Sequence, residues 1–139
     1  MTSTYNDIRQ AIEARIATEM AAAPAYPVSY ENVPFTPPTN SIWIKAQIRF
    51  GANAYATLLG PTTGSNRQSG ILVIGVFTPI GVGIGENLTI AERLKNLFDR
   101  KTVSQIIFDA ADGPAFSQPG SPASFLQAEL AITFSAFVQ

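Results

Sequence analysis

The sequence predicts a single α+β domain. Two amphipathic helices pack on one mixed, mostly antiparallel sheet, in the order α-β-β-β-β-α-β-β, as a two-layer sandwich. Three observations predict it. Isoleucines spaced four apart mark a helix near the start of the chain. A clean alternation of apolar and polar residues over 42–50 marks a half-buried antiparallel strand. Runs of strands interrupted by two helical stretches belong to the α+β class. At 139 residues the chain, 1–139, has room for one such domain and no more.

The first helix is expected over residues 5–22. Thr4 caps it and Asp7, three residues on, completes a capping box near the positive end of the helix dipole. Ile8, Ile12, Ile16 and Met20 form its apolar stripe, with Arg9, Glu13 and Arg15 off it, and Pro24 stops it. Residues 25–40 hold Pro27, Pro34, Pro37 and Pro38, which suit extended chain or an edge strand, with Val28, Tyr30, Val33 and Phe35 as anchors to the core.

Over 42–50 the even residues, Ile42 to Phe50, face one side, and Trp43, Lys45, Gln47 and Arg49 the other. Gly51-Ala52-Asn53 reads as a turn into a second strand over 54–59. Residues 60–69 read as a polar loop with Arg67 its only charge, and 71–78 as a strand buried on both faces or central in the sheet. A second helix is expected over 87–98, with Leu88, Ala91, Leu94, Leu97 and Phe98 facing the core. A strand over 103–108, a Gly/Pro/Ser loop over 110–123 and a last strand over 125–138 complete the chain. In that last strand the even residues from Leu126 to Val138 share one face.

Composition narrows the function. Apolar residues make up 46%, ordinary for a globular protein, but charged residues only 14%, against about 25% in soluble domains. A subunit that buries its surface against copies of itself needs less charge, so the deficit points toward an oligomer. The net charge is −1 with neither sign clustered, which disfavours nucleic-acid binding and a polybasic membrane contact. There is no Cys and no His, which removes disulfides, the usual zinc sites, thiol nucleophiles and the commonest general base. Residues 1–10 carry Asp7 and Arg9 and no apolar run, unlike a signal peptide. The glycines and Pro79 within 68–85 suit strand and turn rather than a membrane helix. The expectation is a soluble protein made in a cytoplasm.

Chemical motifs are weak. Gly81-Val82-Gly83-Ile84-Gly85 lacks the dinucleotide spacing and is not followed by Lys-Ser/Thr, and Glu86 would repel a phosphate there. It reads as a connector between sheet and helix. Asp109 and Asp112-Gly113 lack the further oxygen ligands of a calcium loop. Glu31, Glu86 and Glu129 would act as an acid pair only if two faced each other across a cleft. Trp43 and Tyr55 read as packing or interface anchors. No catalytic residue, cofactor or metal is expected.

Tyr30-Glu31-Asn32-Val33-Pro34-Phe35-Thr36-Pro37-Pro38, followed by Ile42-Trp43-Ile44-Lys45, resembles the opening of the phage tail terminator-like proteins. The resemblance continues through Ser69-Gly70-Ile71-Leu72-Val73-Ile74-Gly75-Val76-Phe77, Gly81-x-Gly83 and the helix ending Leu97-Phe98, and covers residues 5–100. It implies a structural virion protein of the phage tail, assembled in the host cytoplasm. Such a protein forms a homohexameric ring that caps the tail tube, stops its growth and offers a surface for head joining. The implied partners are the chain itself, the tail tube protein and a head–tail connector protein. Candidate interface residues are Asn66 and Arg67 in the first loop, Asp112 in the second, and Trp43 and Arg49 on the strand. The competing readings are a neck or baseplate subunit, and a ligand-binding or enzymatic domain with its pocket beside residues 60–70 or 114–123. Column sizing with light scattering separates the latter from a ring, and gene neighbourhood separates a terminator from a neck part.

Overall fold

The computed structural model describes residues 3–60, 63–118 and 124–138. Its elements run α1 (Tyr5–Ala21), β1 (Val28–Tyr30), β2 (Trp43–Tyr55), β3 (Asn66–Pro79), α2 (Gly85–Phe98), β4 (Thr102–Val103), β5 (Ile106–Ser117) and β6 (Phe125–Val138). The α+β class holds. The strand count between the helices does not: three strands precede α2 and three follow it. All six form one mixed sheet in the order β1-β2-β3-β6-β5-β4, curled as a half-barrel rather than laid as one layer of a flat sandwich. β1 pairs parallel to β2, and the remaining neighbours are antiparallel.

α1 forms as its sequence dictates. The Asp7 backbone N–H donates to Thr4 Oγ1 at 3.1 Å and the Thr4 N–H to Asp7 Oδ2 at 2.9 Å, so both halves of the capping box are present. Hydrogen bonding to Thr4, from its backbone N–H first and its side chain second, holds the Asp7 carboxyl below its ordinary pKa. Ile8, Ile12, Ile16 and Met20 are all buried, in one core cluster with Ile44, Leu72, Ile74, Leu130 and Ile132 of the sheet. Arg9 lies on the outer face, paired with Glu13 at 2.8 Å.

Two arginines lock the helices together. Arg93 of α2 reaches the end of α1, donating to Glu19 Oε1 at 2.7 Å and to the carbonyls of Glu19, Ala22 and Pro24. Arg15 of α1 donates to the Leu97 carbonyl at the end of α2, at 2.7 Å. Each guanidinium thus supplies donors to backbone carbonyls at or just beyond the end of the other helix.

The expected turn at Gly51-Ala52-Asn53 is absent. β2 runs on through it, with a register irregularity between Phe50 and Asn53. The buried Gln68 side chain makes this possible: its Nε2 donates to the Gly51 carbonyl at 2.9 Å and its Oε1 accepts from Asn53 Nδ2 at 2.9 Å. The strand expected over 54–59 is therefore the end of β2, followed by loop. β3 begins at Asn66, inside the expected loop over 60–69, of which residues 61 and 62 lie outside the described residues.

The expected inward face of α2 holds except at Leu88, in whose place Asn87 and Ile90 turn inward. Ile90, Ala91, Leu94 and Phe98 are buried, Leu97 is half-buried and Leu88 is exposed. Asn87 is fully buried: its Oδ1 accepts from Thr78 Oγ1 at 2.7 Å, and its Nδ2 donates to the carbonyls of Val76 and Leu126. That clasp fixes the rotation of the helix. Gly81 and Gly83, both at positive φ, bring the chain from β3 to it.

The strand expected over 103–108 is a hairpin of β4 and β5, turned by Ser104 and Gln105, both at positive φ. Much of the loop expected over 110–123 is strand, because β5 continues to Ser117 with register irregularities after Phe108 and after Asp112. Residues 119–123 lie outside the described residues. Val33, expected to anchor the core, is exposed.

Candidate functional site: an uncovered sheet face between two apolar poles

Both helices cover one face of the sheet, the face of Ile44, Leu72, Leu130 and Phe134. The other face carries no helix. Pairing lays its residues out in rows across the strands: Trp43, Phe77, Gln127 and Ser117; Lys45, Gly75, Glu129 and Ala115; Gln47, Val73, Ala131 and Asp112; Arg49, Ile71 and Thr133. Asp109 joins the last row by accepting from Thr133 Oγ1 at 2.8 Å.

Four of the expected interface residues share this face. Arg49 and Arg67 line one shallow depression with Ile71, Asp109, Thr133 and Ser135, and Arg67 Nη2 stands 3.3 Å from Ser135 Oγ. Asp112 lies two strands away from this pair's β3, on β5. Trp43 lies near the far end of β2, stacked on Phe77 with ring centroids 4.0 Å apart and flanked by Phe35 and Phe125. Its Nε1 is buried and has no partner among the described residues. Asn66 stands apart, at the base of the β2–β3 hairpin beside Tyr55. The face is polarised: Lys45, Arg49 and Arg67 occupy β2 and β3, while Asp109, Asp112 and Glu129 occupy β5 and β6. Among the described residues none of the six joins an ion pair; the pairs present, Arg9–Glu13 and Arg93–Glu19, lie on the helical side.

Sequence reasoning missed the two poles. At the β2–β3 hairpin tip Leu58 is 98% exposed and Tyr55 85%, with Leu59 close behind. At the other end of β3, Ile80, Val82 and Ile84 are exposed in the glycine-rich connector, and Leu88 follows on α2. β3 holds the poles apart by its 14 residues, about 45 Å of extended chain. Exposed apolar groups are thus gathered at two ends of a small charge-poor domain. The signal for the first was present, since Leu58-Leu59 stands immediately before Gly60-Pro61 in a loop.

The three carboxylates weighed for acid catalysis are dispersed. Glu31 ends β1, where its Oε1 accepts from the Ile48 N–H at 2.6 Å. Glu86 opens α2 and Glu129 lies on the uncovered face. Tyr30, close by on β1, has its phenol pKa raised by burial first and by the Glu13 carboxylate second.

The fold and this surface are those of a small α+β subunit with an uncovered sheet face and exposed apolar groups at two ends. The family model of the phage tail terminator protein matches residues 7–106. The chain belongs to that family, and is thus a structural protein of phage tail assembly. A solved structure superposes with a TM-score of 0.70 at 21% sequence identity, covering 96% of this chain and 95% of that one. At that identity the likeness establishes the fold. No curated protein matches the chain.

Proposed function

We propose that the protein ends tail-tube growth by occupying the tube's last ring as a closed ring of its own, most simply a homohexamer. It acts by contact, with no chemistry and no cofactor. Family membership over residues 7–106 carries this reading. The two unlike poles support it, because a terminator must match the tube on one side and fail to reproduce the tube's growing end on the other. Here one pole is a projecting hairpin tip of Tyr55, Leu58 and Leu59, and the other a glycine-rich loop of Ile80, Val82 and Ile84. One pole meets the tube protein and the other the head-side connector. The site of action is the virion tail, after assembly in the host cytoplasm.

The test is tube length. Added to the cognate tube protein during polymerisation, the chain shortens tubes as its concentration rises, and deleting its gene lets tails run past normal length. Unchanged tubes at saturating protein, or normal tails in the deletion, would refute termination and favour a neck component. Leu58→Asp and Val82→Asp, at exposed positions, identify the tube-facing pole by which of them abolishes shortening.

A further inference from the structure

We propose that copies of this chain join side by side in one continuous sheet, with β1 of one copy and β4 of the next lying end to end in a single shared strand position. This rests on the ring reading above and names its joint. The two outermost strands are short, and each covers only one end of the strand it borders: the three residues of β1 against the 13 of β2, and the two of β4 against the 12 of β5. β1 pairs with β2 at Ile44 to Ala46. Past Ile48, whose N–H is taken by Glu31, the outer edge of β2 has no strand partner among the described residues. β4 pairs with β5 at Ile106 and Ile107, and the Phe108 and Ala111 N–H groups are taken by the Lys101 carbonyl and by Asp99. From Asp112 to Ser117 the outer edge of β5 is likewise unpaired among the described residues.

The covered ends are opposite ends. Followed across the sheet, Ile106 lies level with Ala136, Gln68 and Asn53, so β4 stands at the hairpin end. Ile44 lies level with Val76, Ala128 and Phe116, so β1 stands at the other end. Two copies placed side by side with no shift along the strands therefore have stepped edges that fit. β4 of one copy then lies against part of the bare stretch of its neighbour's β2, and the neighbour's β1 against part of the bare stretch of the first copy's β5. Both strands run in the same direction as β2, because each intervening pair is antiparallel. The joint therefore adds one parallel and one antiparallel ladder, and pairs backbone groups otherwise left open.

The charges agree with the shape. Where the shared position passes from β1 to the neighbour's β4, Glu31 meets Arg100 and Lys101, all exposed. Glu31 follows Tyr30, level with Ala46, and Lys101 is level with Phe108, hence with Phe50. That separation is a few residues, about 10–13 Å between backbones, which the side chains span when the Lys101 ammonium exchanges the Asn96 carbonyl for the Glu31 carboxylate, whose Oε1 accepts from the Ile48 N–H. On the uncovered face the basic half of one copy, with Lys45 and Arg49, borders the acidic half of the next, with Asp109 and Asp112. Because the fit needs no axial shift, the repeated contact does not climb as a filament, and it closes on a ring when the rotation per copy divides the circle.

The experiment uses Glu31→Lys and Lys101→Glu in the full chain. Native mass spectrometry at low salt and high protein concentration, and electron microscopy on cognate tube ends, read assembly. Each single variant should stay folded, melting a few degrees lower at most for the lost bond to the Ile48 N–H or to the Asn96 carbonyl, and should weaken association by about five- to tenfold. An equal mixture of the two should regain wild-type assembly, since every joint between unlike copies again pairs opposite charges, and the double variant should do the same. Singles that assemble like wild type, or a mixture that fails while both variants are folded, would overturn the joint and leave the ring standing. Closed dimers would overturn it as well. Absence of any multimer of the wild type, in solution and on tubes, would overturn the ring reading and the joint together.

Discussion

Ile12 tests whether α1 is a wall of the core or a decoration upon it. The residue is fully buried in the middle of the helix, between Ile8 and Ile16, which are buried to the same degree. Ile12→Ala removes three carbons from a packed interior and costs about 2–5 kcal/mol, the transfer of the lost atoms plus the void left behind. For a domain of this size about 3 kcal/mol corresponds to a fall of roughly 10 °C in melting temperature. Ile12→Val, which keeps the branching, should cost about 0.5–1.5 kcal/mol. Ile12→Asp places an unpaired carboxylate in the same space and should cost more than about 4 kcal/mol, a large part of the 5–15 kcal/mol that holds a domain folded. Arg9→Ala, on the outer face of the same helix, should change stability by less than about 0.5 kcal/mol. Thermal unfolding followed by circular dichroism gives the ranking. Ile12→Ala melting within 2 °C of wild type, about the shift of a surface change, would show that α1 is not docked on the sheet.

Arg93→Ala strips four acceptors at the end of α1 and should cost about 1–3 kcal/mol in chemical denaturation, with Arg93→Lys recovering only part, since an ammonium does not span them. Asn87→Ala leaves the buried Thr78 hydroxyl without its acceptor and should cost about 2–3 kcal/mol by the same measurement, whereas Leu88→Ala on the exposed side should be nearly neutral. The Asp7 carboxyl is held below its ordinary value of 3.8, so its capping contribution is present above that pH and is lost as pH falls through the lower, folded-state value. Amide exchange at Asp7 and Ile8 should accelerate in that acid window, and Asp7→Ala should remove the pH dependence.

Local chemistry was legible in the sequence wherever a residue answers to its near neighbours. The Thr4–Asp7 box, the isoleucine stripe, the alternation in β2 and β6 and the uncharged run in β3 all lie where periodicity and capping place them. What escaped depends on partners far along the chain. Gly51-Ala52-Asn53 has the composition of a turn, yet Gln68 and the β3 edge hold it extended. Gly113 and Pro114 look like loop, but β6 on one side keeps β5 paired past them. Leu88 and Ile90 are equal candidates for the core until Asn87 finds Thr78 and sets the helix rotation. For the surface, the polar loop charges drew attention to Arg67 and Asp112, which do share the uncovered face with Trp43 and Arg49. The apolar poles were passed over because strand and loop boundaries were misplaced around Leu58 and Leu59.

The place of β6 in the sheet has a consequence for how the protein is made. It is the last of the eight elements to leave the ribosome, and yet it lies in the middle, between β3 and β5. Until it emerges, the earlier strands form two unconnected fragments. At a synthesis rate of about 5–20 residues per second, its 14 residues take about one to three seconds. Throughout that interval the inner edge of β3 stands open, carrying Ile71-Leu72-Val73-Ile74-Gly75-Val76-Phe77, an uncharged and proline-free stretch of high strand propensity. The nascent chain is therefore most exposed to self-aggregation just before β6 becomes free to pair. Chaperone occupancy during translation should peak on β3 and fall abruptly once β6 is free.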